Sequence, residues 1–508
     1  MSKKSKGDIF TPPHIVSIVL DYAGYTSSDS ILEKHILENS CGDGRFLCEI
    51  VRRYIEAYRT IHIGTSGINH DLERYIHGIE LDSGYCKECV NNLNAIAKEE
   101  GIEGKINWDV RCTDALFTDY IYKGALPDYI VGNPPYVRIH NMDDPESLAE
   151  AFTWCSGMTD LYIAFWQKSL TNIKNGGVVC FITPSSWVTS VAGREMRSYL
   201  RRTGYLRGVI DFKDTQVFDN AQTYVMVTLC SASAPNWGVF KDDVNLGEPF
   251  FHYDEYDPDT KKIKDDIILK YSQAITQGTK DTYIDMCSPD DCAVLHEVRL
   301  PHRDWISVKN GFATLKDEVF INEDAPEEMS IRVVKATTKE TDTERCVFPY
   351  TKAGPMGYVP ISLDVMEDTY PEAYNYLLSH KQELLKRKYD GNWYTFGRSQ
   401  GLSDLDKMKI SINNTVKTKE DLHLNLLDKG VGVYGGLYIV TDNWYVCGGS
   451  EEAHEKVLRK VMDILSDDKF IRYVFSLKKY KSGGYCTFSS KDAEAYINWI
   501  LDQECDIL

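Results

Sequence analysis

One turn constrains this chain more than any other stretch: Asn133-Pro134-Pro135-Tyr136, at the end of the apolar run Asp128-Tyr129-Ile130-Val131-Gly132. Tyr129 to Val131 predict a short buried strand, and Gly132 lets the backbone turn out of a sheet. The prolines fix φ, and Pro134 keeps Asn133 out of the helical region. The expected result is a stiff loop presenting the Asn133 amide, the Pro134 carbonyl and the Tyr136 ring outward. Pro135 brings no N–H, so carbonyls of the loop are left as acceptors. Such a loop is built to receive donors, although in isolation the motif more often is a surface turn with a packed tyrosine.

The preceding sequence supplies its context. Gly7-Asp8-Ile9-Phe10-Thr11-Pro12-Pro13 leads into a predicted helix over His14–Ala23, with the prolines at its start. Ile36-Leu37-Glu38 predicts a strand end, followed by Asn39-Ser40-Cys41-Gly42-Asp43-Gly44. The glycines bring the backbone close to a ligand, and a helix from Arg45 turns its N-terminus towards it. A second strand, Ile76–Glu80, ends in an acid able to accept both hydroxyls of an adenosine ribose. A third runs near Asp109–Cys112 and is followed by Asp114, an acceptor for an adenine amino group. Each acid alone reads as a solvated strand end, but glycine loop, Glu80 and Asp114 in this order predict a doubly wound sheet with an adenosine-containing ligand at its switch point.

The whole chain narrows the class. Its 508 residues suggest about two to four domains, and no uncharged apolar run is long enough to span a bilayer. The basic start Met1-Ser2-Lys3-Lys4-Ser5-Lys6 is not followed by an apolar region, and the 14 cysteines are scattered. Both fit a cytoplasmic protein without a secretory signal. Cys86-Lys87-Glu88-Cys89 has the spacing of a zinc knuckle but no second pair, so no metal and no membrane are expected. A formal charge of −19 argues against wholesale coating of nucleic acid, but not against a cleft locally lined by Lys and Arg.

These residues carry a resemblance. The chain resembles the amino-methyltransferases that use S-adenosyl-L-methionine, specifically the gamma-class DNA adenine-N6 methyltransferases of restriction–modification systems. Phe10-Thr11-Pro12, then Cys41-Gly42-Asp43-Gly44, then Asn133-Pro134-Pro135-Tyr136 follow that family's order. Asp160-Leu161-Tyr162, Phe181-Ile182-Thr183-Pro184-Ser185-Ser186-Trp187 and Val217-Phe218 before a strand over Thr223–Leu229 add to it. The match is strong over residues 7–232 and fainter beyond, at Thr395-Phe396-Gly397-Arg398-Ser399 and Ser482-Gly483-Gly484-Tyr485. It implies a Rossmann-like α/β catalytic domain over 1–236, a connector over 237–300, and a mixed α+β DNA target-recognition domain over 301–508. It also implies that the cofactor meets Phe10, Thr11, Pro12, Asn39, Cys41, Gly42, Asp43, Gly44, Glu80, Leu81, Asp114, Ala115 and Asn133. Asn133, Pro134, Pro135 and Tyr136 would carry the reaction, with Phe218 against the other face of the target base. Two departures stand out: Asn39 where the family usually has proline, and Ala115 where an aromatic often stacks on the cofactor adenine.

In the second half, strands are expected at Asp317–Asn322, Ile331–Lys335 and Gly436–Val440, and helices at Ala373–Tyr389 and Glu451–Leu465. Its basic clusters, Lys386-Arg387-Lys388, Arg398 and Lys478-Lys479, read either as solvated faces or as phosphate contacts on double-stranded DNA. A separate cognate restriction endonuclease is the further partner that the resemblance implies. The rival readings are cytosine-N4 methylation, typically with serine at the position of Asn133, protein-glutamine methylation, a catalytically lapsed DNA-binding subunit and a fused nuclease. Pro289-Asp290-Asp291 with Glu297 lacks the Glu-x-Lys of a nuclease.

Overall fold

A computed structural model describes residues 10–504, apart from 63, 65–66, 143, 156–158, 219–222, 234–247, 279–280, 339–342, 355–356, 442–449 and the side chains of 265 and 266. The basic start, Gly7-Asp8-Ile9 and the Ala234-Pro235-Asn236 boundary lie outside the described residues. The chain forms two units, Met1–Ala293 and Val294–Leu508.

The first unit is built by short apolar strands separated by amphipathic helices. Pro12 precedes and Pro13 opens helix α1 (Pro13–Tyr22), where Ile15, Val16, Val19 and Leu20 form one buried stripe. Strand β1 (Ile36–Glu38) is buried along its length and pairs in parallel with β2 (Ile76–Glu80) on one side and β4 (Tyr129–Gly132) on the other. Helix α2 (Arg45–Ile61) follows the glycine loop, and β3 (Asp109–Cys112) lies outside β2. Strand β5 (Val178–Pro184) is buried at all seven positions, as its near-continuous apolar sequence requires of a strand covered on both faces. Beyond it β7 (Val225–Ser231) runs antiparallel between β5 and β6 (Leu206–Asp211). The sheet order 3-2-1-4-5-7-6 reverses between β1 and β4, and the loops after those two strands open at the switch point.

Two further strands, Phe250–Asp257 and Lys262–Lys270, extend this sheet to nine. The first pairs in parallel with β6 from Gly208↔His252 to Asp211↔Glu255. The stretch 237–300 expected as a connector therefore contributes strands to the first unit. An open sheet edge at β6 leaves a row of unpaired amides, and these residues complete it.

At the ends of β1 and β2 remote from that opening, a polar chain crosses the strands. His35 Nδ1 lies 2.9 Å from His77 Nε2, and His77 Nδ1 lies 2.8 Å from Asp109 Oδ2. Tyr122 stacks on the His77 imidazole at 3.6 Å. Burial holds His77 down at about 4 against the opposing pull of Asp109. Burial would raise the Asp109 carboxyl, but hydrogen bonds from His77 and Arg111 outweigh it and bring it to about 2.

The second unit is mixed α+β. A four-stranded antiparallel sheet orders Ser307–Asn310, Leu437–Val440, Lys409–Ile412 and Leu424–Leu427. A smaller sheet holds Glu344–Val347, Ser330–Lys335 and Gly432–Tyr434. The helix expected at Glu451–Leu465 forms with those bounds, capped by Ser450. Asp317–Phe320, expected as a strand, is a helical turn instead, because Thr314 Oγ1 and Asp317 Oδ1 meet and the Lys316 carbonyl accepts from Val319 and Phe320. The helix expected over Ala373–Tyr389 breaks into Pro371–Ser379 and Lys381–Leu384.

Candidate active site

The carboxyl ends of β1, β2 and β4 bring the expected residues to one opening. Gly42 has φ +52° and Gly44 φ +88°, conformations that L side chains rarely adopt. A Cβ at Gly42 would meet nothing within 4 Å, so open space lies above the loop. At Gly44 a Cβ would come within 2.7 Å of Cys89 Sγ, which makes that glycine a packing requirement as well. Glu80 braces the loop: its Oε2 accepts from Gly42 N at 2.9 Å and its Oε1 from Asp82 N at 2.9 Å. Both carboxylate oxygens are thus oriented by backbone amides at the rim of the opening.

On the adjoining strand, Gly132 takes φ +145° and delivers the proline loop. The Asn133 amide Nδ2 donates to Thr11 Oγ1 at 3.1 Å, and the Ser40 hydroxyl donates to the Asn133 carbonyl at 3.4 Å. Thr11 is buried, so the bond is sheltered from water. It turns the amide so that Nδ2 faces the protein. Tyr136 is fixed by its hydroxyl, which donates to the Ile182 carbonyl at 3.1 Å, and burial pushes that phenol well above its ordinary range. Its ring meets Phe218 edge-on, with centroids 6.2 Å apart and planes inclined by 64°. Phe218 is buried in the core, so the two rings do not form parallel faces.

Other expected residues fall differently. Asn39 is turned inward, its Nδ2 donating to Tyr120 at 3.1 Å and Ser169 at 3.0 Å, so its side chain binds protein and not the opening. Cys41 is buried, and its thiol is pushed up by Cys89 and by burial. Asp43 pairs with Arg45 at 3.1 Å, and Arg45 lies over the Phe10 ring at 4.7 Å. Pro12 occupies the N-cap position of α1. Asp114 accepts from Leu116 N at 2.9 Å, and Ala115 is buried behind it. The exposed apolar groups nearby in sequence are Leu81 at 70% and Phe117 at 60%.

Glu38 was not among the expected residues. It is buried at the end of β1, accepts from Leu47 N at 3.2 Å, and burial raises its carboxyl well above the usual range. The Cys89 thiol, Asp43 and Glu80 add to that rise. An acid closing an otherwise apolar strand was the available signal. Cys86 and Cys89 lie on the helix Ser83–Glu99, both buried, and among the described residues no group of three or more His, Cys, Asp or Glu could hold a metal ion. No helix of the described residues is long and apolar enough to cross a membrane.

The basic clusters of the second unit separate into two kinds. Arg387 donates from Nε to Leu384, from its terminal nitrogens to Thr314 at 2.6 Å, Thr395 at 2.9 Å and Trp393 at 2.5 Å, all main-chain carbonyls. Lys479 pairs with Asp492 at 2.5 Å. These two side chains are committed to the fold. Lys386, Lys388 and Arg398 are exposed.

Residues 81–218 match the family described as Eco57I restriction-modification methylase. The Type II methyltransferase M.PaeR7I of Pseudomonas aeruginosa is 30% identical over 240 residues, covering 45% of this chain and 40% of its own. The Type II restriction enzyme and methyltransferase RM.Eco57I of Escherichia coli is 23% identical over 83% of this chain and 51% of its own. The alignments thus span about half or less of those relatives' length. Among solved structures, the Type IIL restriction-modification enzyme MmeI in complex with DNA superposes with a TM-score of 0.57 at 14% identity, over 94% of this chain and 63% of its own. The family match runs from Leu81 to Phe218 and so takes in the proline turn at the switch point; over that stretch the chain is similar to methylases of the Eco57I restriction-modification type.

Proposed function

We propose that this protein is a site-specific DNA adenine-N6 methyltransferase that uses S-adenosyl-L-methionine and acts on an adenine extruded from the duplex. The observation that carries the reading is the meeting of the Asn133-Pro134 acceptors with the Gly42–Glu80 cradle at one switch point. The residues present fit the cofactor: Gly42 leaves open space over the loop, and Glu80 offers an oriented carboxylate for the ribose hydroxyls. Bound there, it supplies a methyl group on a sulfonium, a leaving group that needs no protonation.

The chain's own residues do the rest. An exocyclic adenine nitrogen is a weak nucleophile because its lone pair is delocalised into the ring. Asn133 Oδ1 and the Pro134 carbonyl accept its two N–H bonds, which drives density onto nitrogen and favours tetrahedral geometry, and one of these protons is lost to solvent after the nitrogen has been methylated. Thr11 holds the amide in the orientation that offers Oδ1 and not Nδ2. The Tyr136 ring, fixed through Ile182, gives the base a stacking platform, and Phe218, buried and edge-on to it, braces that ring. The amino edge of a paired adenine is occupied, so the base must leave the stack. The second unit is the part that holds and selects the duplex.

Long-read sequencing of DNA from cells expressing the chain tests this. Modified adenines in one sequence context are expected, and their loss in Asn133→Ala. Modified cytosines in place of adenines, or no modified base with the intact chain, overturn the reading.

A further inference from the structure

The second unit contains an open groove of about 890 Å³ lined by Leu315, Arg387, Lys388, Tyr389, Gly397 and Arg398, with Asp390 as its one acid. Its charge is inverted relative to the chain. The chain carries −19 overall, and elsewhere in this unit Lys309, Lys316, Arg345, Lys352 and Lys407 each meet a carboxylate. Lys388 and Arg398 have no carboxylate at ion-pair distance among the described residues, and Arg387 spends its donors on neutral carbonyls. The groove keeps an uncompensated positive charge inside an acidic protein, which suits a polyanion.

Its rim carries a second anomaly. Leu315 has φ +60°, where a non-glycine residue is strained, yet its side chain is 47% exposed. The strain is held from every side. Thr314 Oγ1 accepts from Lys316 N at 3.0 Å, Arg387 holds the Thr314 carbonyl at 2.6 Å, and Ala313 and Arg398 exchange two backbone hydrogen bonds at 3.0 and 2.9 Å. The leucine lies across Gly397, where a Cβ would fall 2.2 Å from its Cδ1. A Cβ at residue 397 would push the Leu315 side chain aside. A strained backbone and an arginine staple hold one half-exposed apolar side chain against Gly397, beside two cations without ion pairs.

We propose that Leu315 is a base-level reading finger on duplex DNA, inserted between phosphates held by Lys388 and Arg398. Resting on the DNA reading above, it adds which side chain selects the site and which two hold the backbone. An apolar tip meets a thymine methyl group or a base step, and carries sequence preference without charge. Phosphate contacts give affinity without preference, and each adds about one unit to the salt slope.

The test compares wild type, Leu315→Ala, Leu315→Met and the double variant Lys388→Gln/Arg398→Gln, all as full chains. Two readouts are taken: the sequence context of modified bases in cellular DNA, and the salt dependence of binding to a labelled duplex carrying that context. Leu315→Ala is expected to relax the context at one or two base pairs and to weaken target binding about tenfold, with an unchanged salt slope and an unchanged melting profile. Leu315→Met retains most of the preference. The double variant keeps the context and loses about two units of slope. A Leu315→Ala chain with wild-type context and affinity overturns the finger, while wild-type methylation continues to support the function. A wild-type chain that neither modifies nor binds DNA overturns both.

Discussion

Replacing Thr11 by valine tests the orientation of the Asn133 amide without touching the loop itself. The side chains are nearly isosteric, and Thr11 is 4% exposed, so the change removes one acceptor and leaves the volume. What is lost is the 3.1 Å bond from Asn133 Nδ2. A buried amide N–H without a partner costs about 1–3 kcal/mol. The amide escapes that cost only by rotating, which removes Oδ1 from the substrate nitrogen. Since each 1.4 kcal/mol is a decade, methyl transfer should slow by roughly 5- to 150-fold. Single-turnover methylation of a duplex with the identified context reads this directly, and calorimetry reads cofactor affinity in parallel. The rate should fall by more than the cofactor affinity does, and Thr11→Ser should restore most of the rate. In the Asn133→Ala background the same Thr11 change should cost nothing more, because the two residues act as one unit. A Thr11→Val chain with the wild-type rate refutes the positioning role.

Three further outcomes follow from the same geometry. Asn133→Ala should bind cofactor and duplex normally yet lose at least about two orders of magnitude in single-turnover rate, as removal of one preorganised acceptor implies. Gly44→Ala forces φ +88° on a residue with a Cβ and drives that Cβ within 2.7 Å of Cys89 Sγ. Urea unfolding should show a loss of about 2–4 kcal/mol from the two terms together, and Cys89→Ala should relieve only the packing part. His77 titrates at about 4 when folded and 6.5 when unfolded, so the unfolded chain takes up the proton first as pH falls. The stability it supports is full above 6.5 and is lost towards 4, with about 2 kcal/mol gone at pH 5. Urea midpoints at pH 7 and pH 5 measure this, and His77→Gln should remove most of the difference.

Much of the first unit was legible because its signals are local. Gly42, Gly44 and Gly132 declare positive φ, the proline pair declares a stiff turn, and an acid closing an apolar run marks a strand end such as Glu80. Strand ends in a doubly wound sheet converge whatever their separation in sequence, so the order of these pieces was enough to predict their meeting. What a side chain faces is not local. Asn39 stands in the same loop as Gly42, yet Tyr120 and Ser169, distant in sequence, draw it inward. Arg387 and Lys388 are neighbours in one basic run, and only the fold assigns one to four carbonyls and leaves the other in the groove. Strands Phe250–Asp257 and Lys262–Lys270 read as acidic connector because their pairing partner, β6, is supplied from elsewhere in the chain. Backbone conformation is set by neighbours a few bonds away, which the sequence displays. Burial, pairing and the fate of a charge are set by groups brought near only when the sheet closes, and those the tertiary structure alone decided.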